Sequence, residues 1–273
     1  MIYGREELRS ILPPWLGQAL KQHDMRGLQE IRLRTGESVQ IIADKRNLTI
    51  SRQVKAEDIH FCVNMATKYS PWAAETMKEG FISAPGGHRI GICGEAVSQS
   101  EQLRGLKNIR SICIRVAGDY PGIAAKLRDV RGHILIIGSP GSGKTTLLRD
   151  LIRQFSEKEN VGVVDQRGEL FPACFPTGPR TDVLTGCRKD MAIDMLLRTM
   201  SPDSIAMDEI TKDSDCVALR KAAWCGVRLI ATAHAADMDE LNRRLLYKPM
   251  MRDGIFDTLI VLNKDKTWRA ERV

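Results

Sequence analysis

The run Gly138-Ser139-Pro140-Gly141-Ser142-Gly143-Lys144-Thr145 meets every requirement of a loop that grips a triphosphate. Its glycines let the backbone curl so that amide N–H groups face a phosphate without Cβ clashes. Lys144 supplies a point charge to the β- and γ-phosphates, and the Thr145 hydroxyl is a ligand for Mg²⁺. Thr146 extends the same cradle into the next turn. A helix beginning here turns its positive end toward the phosphates. The chemistry predicted is nucleotide binding, with Mg²⁺ as the accompanying cation.

Further polar residues stand at the ends of apolar runs. Ser204–Met207 leads into Asp208 and Glu209, about 60 residues after the phosphate loop. A strand-end Asp in such proteins holds Mg²⁺ through water, which assigns Asp208 to the metal. Glu209, one residue on, is placed to polarise water for attack on the γ-phosphate. Leu229–Ala233 ends at His234, which is positioned either to contact the γ-phosphate or to hold Glu209. Val163-Val164-Asp165 runs into Gln166, Arg167, Gly168 and Glu169. Asp165 and Glu169 either order the metal's water shell, hold Arg167, or belong to a solvated loop.

The elements that must position these residues alternate. His133–Ile137, Val161–Val164, Ser204–Met207, Leu229–Ala233 and Thr258–Leu262 are short, apolar and β-branched, as buried parallel strands are. Between them lie helical stripes: Leu147, Leu148, Leu151, Ile152 and Phe155; Ile193, Leu196, Leu197 and Met200; Cys216, Leu219 and Ala223, closed by Gly226. Strand, helix and strand in turn predict an α/β sheet covered on both faces.

The first half reads differently. Arg5–Gln22 carries a helical stripe broken at Pro13-Pro14. Leu28–Arg34 and Ser38–Ala43 alternate as a hairpin around Thr35-Gly36-Glu37. Ala56–Ser70 is helix-like, and Phe81–Ala84, Arg89–Cys93 and Ser111–Val116 are short strands. Tyr120-Pro121-Gly122 is the expected linker, and Ile123–Val130 a short helix after it. The prediction is therefore a C-terminal RecA-like P-loop domain with a mainly parallel sheet, residues 123–273. A smaller mixed α+β N-terminal domain, residues 1–122, precedes it.

Composition narrows the classes. Of 273 residues, 43% are hydrophobic and 27% charged, as in globular proteins; no run approaches the roughly 18 apolar residues of a membrane span. The start carries acids and lacks the apolar segment of a signal peptide. Net charge is +7, but Lys and Arg are scattered, and aromatics at 5% are few for a base-stacking platform; direct nucleic-acid binding is not expected. Cys62, Cys93, Cys113, Cys174, Cys187, Cys216 and Cys225 form no CxxC pair and read as reduced core thiols of a cytosolic protein.

Other phosphate-loop classes do not fit. Asn263-Lys264-Asp265-Lys266 misses the guanine-reading Asn-Lys-x-Asp because its Asp comes one place early, and no LSGGQ-type signature occurs. The order of blocks resembles the secretion-superfamily ATPases, the motors of type II secretion and type IV pili. Within that group the chain is most similar to the stage III sporulation AA family of endospore-forming bacteria. The likeness rests on Glu30–Arg34, Gly80–Gly94, Met200–Ile210 and Gly226–Ala235, so it covers both halves.

The resemblance implies an ATPase ring, usually a hexamer, with nucleotide between the two domains and arginines fed from the first. Arg110 and Arg115 are the candidates, with Arg89, Arg32 and Arg34 behind them. It also implies a cytoplasmic protein docked to a membrane channel component on the mother-cell side, at the channel joining mother cell and forespore. One residue departs from the family pattern: Gln166 stands where a Glu is expected beside Asp165. Two alternatives stay open, a nucleic-acid-dependent ATPase and a nucleotide-gated scaffold that does not hydrolyse.

Overall fold

Branched and aliphatic residues at every second position build the first sheet. A computed structural model describes residues 4–22, 27–43, 46–68, 77, 80–99, 102–172 and 174–273. In it, β1 (Leu28–Arg34), β2 (Ser38–Ala43), β3 (Arg46–Gln53), β4 (Phe81–Ser83), β5 (Arg89–Gln99) and β6 (Gln102–Arg115) form one antiparallel sheet ordered β3-β2-β1-β6-β5-β4. The register sets Ile31 opposite both Ile41 and Ile114, and Ile90 opposite Ile114. These side chains are fully buried beneath α1 (Arg5–Ser10), α2 (Pro14–Lys21) and α3 (Ala56–Thr67), which contribute Leu8, Leu16 and Ile59. A one-residue slip would turn the whole apolar row to solvent, so this register is strongly specified.

The second sheet is ordered β13-β12-β7-β11-β10-β8-β9. Its strands are β7 (Ile134–Gly138), β8 (Val161–Asp165), β9 (Thr181–Thr185), β10 (Ser204–Met207), β11 (Arg228–Ala233), β12 (Thr258–Leu262) and β13 (Trp268–Arg272). All pairings are parallel except β12 with β13. Alternate residues of the central strands enter two separate cores. Ile134, Ile136, Val163 and Ile230 pack with α4 (Lys144–Ser156) on one face. Leu135, Ile137, Ile205 and Leu229 pack with α5 (Lys189–Thr199) and α6 (Asp213–Trp224) on the other. Two short helices, α7 (Met238–Arg243) and α8 (Lys248–Arg252), precede β12.

By contacts the chain divides into two compact units. One is Met1–Asp119 with Pro172–Phe175; the other is Tyr120–Phe171 with Pro176–Val273. Gly87 is required where Pro172 joins the first unit, because a Cβ there would lie 2.2 Å from the proline ring.

Several expectations are corrected. Residues 123–130 hold turns and one 3-10 turn at Ala125–Leu127 in place of an α-helix, and the Asp150 carboxylate takes the Gly122 and Ala124 amides at 2.9 and 2.7 Å. Strands β3, β9 and β13 were not foreseen. Each is an edge or near-edge strand with mixed polar composition, and a search for apolar runs finds strands buried on both faces. The last two residues of the helix expected over 56–70 lie outside the described residues, and α3 ends at Thr67. No disulfide joins the cysteines among the described residues, but Cys93 and Cys225 are exposed rather than in a core.

Candidate functional site

Gly138 ends β7 buried, and a Cβ there would meet Ser142 Oγ at 2.5 Å and the Leu262 carbonyl at 2.7 Å. Gly141 and Gly143 follow with φ of 74° and 104°, the left-handed region that glycine enters freely. The chain thereby turns tightly from strand to helix, and Lys144 opens α4. Ser139 and Thr146 are half-buried and Pro140 is exposed at the tip.

Lys144 is buried, and its ammonium donates to Gly138 O at 2.8 Å, Ser139 O at 3.1 Å and His234 Nδ1 at 3.0 Å. Burial lowers its pKa, while Asp208 and Glu209 pull it back up. A lysine ammonium has only donors, so Nδ1 accepts and Nε2 of the neutral ring carries the proton. That nitrogen lies 3.2 Å from Glu209 Oε1, giving a continuous line from Lys144 through His234 to Glu209.

Parallel register brings the carboxyl ends of β7, β10 and β11 side by side, as the crevice of an open α/β sheet requires. The Thr145 hydroxyl donates to Asp208 Oδ2 at 2.8 Å. The Thr232 hydroxyl donates to the other oxygen, Oδ1, also at 2.8 Å. Thr232 Oγ1 in turn accepts the Glu209 amide at 2.8 Å. Glu209 has φ 54°, unusual for a residue with a Cβ, and such a conformation costs roughly 1–2 kcal/mol.

The other sequence-predicted residues are placed as follows. Both Asp165 oxygens accept backbone amides, from Glu169 at 2.9 Å, Leu170 at 2.9 Å and Phe171 at 3.1 Å. Burial raises the Asp165 pKa against the pull of those amides. Asp165 thus ties down the loop after β8, where the Glu169 backbone carbonyl accepts Arg149 at 2.9 Å; Gln166 and Arg167 are exposed on it. Arg115 lies in the first unit, on a face of β6 shared with Glu30, Arg32 and Arg34 of β1. Glu30 engages Arg32 at 2.7 Å and Arg115 at 3.9 Å. Arg110 precedes that regular run, beyond the irregularity where Asn108 has φ 48°, and is exposed. Arg89 stacks over Phe81 at 3.7 Å.

Sequence reasoning missed Thr232, Tyr247, Lys189 and Lys266. Tyr247 donates to the Ile210 carbonyl at 3.1 Å, and Lys266 donates to Gly141 O at 2.6 Å from the β12–β13 turn. Thr232 sits inside an apolar strand, where a buried hydroxyl was the one available signal.

The residues present fit a nucleotide with Mg²⁺. The cradle has no room for side chains at Gly138, and Ser142 Oγ is buried with no hydrogen-bond partner among the described residues. A hydroxyl and a carboxylate in contact are hard oxygen donors of the kind Mg²⁺ takes, with water in the remaining positions.

The family profile described as "Sporulation stage III, protein AA" matches residues 4–270. The chain belongs to that family. Stage III sporulation protein AA of Bacillus subtilis (strain 168) is 33% identical over 281 residues, 95% of this chain and 91% of that protein. The uncharacterized protein ycf45 of Porphyra purpurea is 25% identical across 86% of this chain and 41% of its own length. Among solved structures, the Legionella pneumophila ATPase DotB aligns with a TM-score of 0.63 at 17% identity, covering 96% of this chain and 80% of DotB. The pilus retraction motor PilT, solved with ADP, aligns at 0.60 and 16%, covering 89% and 76%. At such identities the likeness is one of fold. Family membership confirms the resemblance carried by the sequence blocks.

Proposed function

We propose that this chain is an ATP-hydrolysing motor subunit acting during sporulation. The observation that carries the reading is the 2.8 Å contact of Thr145 with Asp208, beside a phosphate cradle whose lysine is tied through His234 to Glu209. Shared fold with an ATPase and with a pilus motor solved with ADP supports it.

Lys144 and the backbone N–H groups of Gly138–Thr146, Pro140 excepted, hold the phosphates. Mg²⁺, held by Thr145 and Asp208, neutralises charge on the β- and γ-phosphates when bound. Glu209 accepts a proton from water as that water attacks the γ-phosphorus, and the bond to the β–γ bridging oxygen breaks to leave ADP and phosphate. His234 orients the Glu209 carboxylate and senses the γ-phosphate. Arg110 or Arg115, delivered by the first unit of the same or a neighbouring subunit, stabilises the transition state. Working units are homo-oligomeric rings, hexamers by the family resemblance, docked from the cytoplasm on a membrane channel component at the mother cell–forespore boundary. Among the described residues no helix is long and apolar enough to cross a membrane.

Phosphate release by the purified chain, measured across a protein concentration series, tests this. Wild type turns over, Lys144→Ala falls to the blank, and Glu209→Gln loses about 10²–10⁴-fold while still binding nucleotide. Wild-type turnover no higher than that of Glu209→Gln would leave a nucleotide-gated scaffold, to which Gln166 would point. Strong stimulation by DNA or RNA that fades as salt rises would move the reading to a nucleic-acid-dependent ATPase.

A further inference from the structure

The turn after β10 is held from several directions. On the β11 side, Thr232 takes the Glu209 amide at 2.8 Å and its carbonyl receives the Ile210 amide at 2.8 Å. Tyr247 caps the Ile210 carbonyl at 3.1 Å. The Glu209 carbonyl itself receives the ammonium of Lys189. This is where the backbone is left-handed, and that conformation swings the carbonyl out of the line of the strand.

Lys189 occupies an unfavourable place. It is the first residue of α5, where a cation opposes the helix dipole. It is half-buried, and burial lowers its pKa while Asp215, Glu209 and Asp208 raise it. Asp215 is engaged elsewhere, taking the Thr211 and Lys212 amides and the Thr211 hydroxyl. The half-buried ammonium is thus offset by the charge of Asp215 and by the Glu209 turn, whose carbonyl it grips, with the carboxylate pair beside it.

We propose that Lys189 is a positioning residue for Glu209: by gripping the Glu209 carbonyl it fixes the left-handed turn that aims the carboxylate at His234. The inference rests on the reading of Glu209 as the group that activates water, and it adds a residue outside the phosphate loop and the strand ends. The cation also lies near Asp208 and Glu209, so it offsets the repulsion between two adjacent carboxylates.

The test compares Lys189→Met, Lys189→Arg and Lys189→Met in a Glu209→Gln background, using full-length protein. Turnover, binding of a fluorescent ATP analogue, melting temperature and amide exchange over residues 208–211 are read for each. Lys189→Met is expected to lower kcat about 10- to 100-fold, as misplacement of a reacting group does. Analogue affinity should stay within about twofold, and Lys189→Arg should restore part of the rate. On Glu209→Gln, Lys189→Met should cost nothing more, because the two act as one unit. Exchange over 208–211 should quicken in the Met variant and not in the Arg variant.

A Lys189→Met enzyme as fast as wild type would overturn the inference and leave the ATPase reading intact. A loss that follows melting temperature and analogue affinity together would overturn it too, by showing a general structural role. If wild type itself does not turn over, the ATPase reading falls. Exchange then decides for Lys189 alone, and unchanged exchange in the Met variant refutes it.

Discussion

Glu209 combines a left-handed backbone with a carboxylate 3.2 Å from His234 Nε2. Replacing it with Ala keeps a Cβ in the left-handed region, whereas Gly does not. Glu209→Gly should therefore be more stable than Glu209→Ala by about 1 kcal/mol. Denaturant midpoints check this, and equal midpoints would show that the turn relaxes without its side chain. Thr232 is the second decisive residue, fully buried and bonded to both Asp208 and the Glu209 amide. Thr232→Val keeps the volume but leaves that amide without its acceptor, which costs about 1–3 kcal/mol. Turnover should fall with it, while Thr232→Ser retains the bonds and most of the rate. Lys144, Thr145, Asp208, Glu209 and His234 were legible because each stands in a loop motif or directly after an apolar run. Thr232 and Lys189 were not, since one is a single hydroxyl within a strand and the other one lysine among many.

At the scale of elements, carboxylates take over where repeating backbone hydrogen bonds stop. Asp150, on α4, is buried and accepts two amides from the segment that enters the second unit. Asp150→Ala should destabilise the protein by about 2–3 kcal/mol, because bonds to a charged acceptor are lost and a buried donor is orphaned. Asp129→Ala, at a residue 75% exposed, should change the midpoint little. A comparable loss in both would mean that Asp150 acts only through net charge. The same carboxylate fixes the entry to residues 123–130, taking amides that a helix starting there would also leave without an internal partner. The two amides lie 28 and 26 residues before Asp150 in the chain, and nothing local in the sequence announces that pairing.

For the molecule as a whole, each unit carries its own core, and His88 ties the first one together. Its buried ring meets Gly4 O at 2.9 Å through Nε2 and accepts the Ala117 amide at 3.1 Å through Nδ1. Burial lowers its pKa below 6.5, against the opposing effects of Gly4 and Glu7. Well above pH 6.5 the ring is neutral whether folded or not, and it imposes no penalty. As pH falls below 6.5 the unfolded chain binds a proton that the folded chain refuses, and stability declines by at most about 1.4 kcal/mol per pH unit. His88→Gln should start less stable at pH 7.5 yet lose less between pH 7.5 and 5.5 than wild type. Parallel pH curves for the two proteins would place the acid sensitivity elsewhere.

From the chain alone came the phosphate loop, the five buried strands of the second sheet, the hairpin that opens the first, and the family. These depend on local rules, namely glycines where the backbone must turn left-handed, a side-chain period of two or 3.6, and charges at the ends of apolar runs. The edge strands, the seating of Pro172–Phe175 with the first unit, the two roles of Thr232 and the grip of Lys189 on Glu209 were decided by tertiary structure. Each depends on residues far apart in sequence meeting in space, and a polar side chain's partner is set by that meeting and not by its neighbours in the chain.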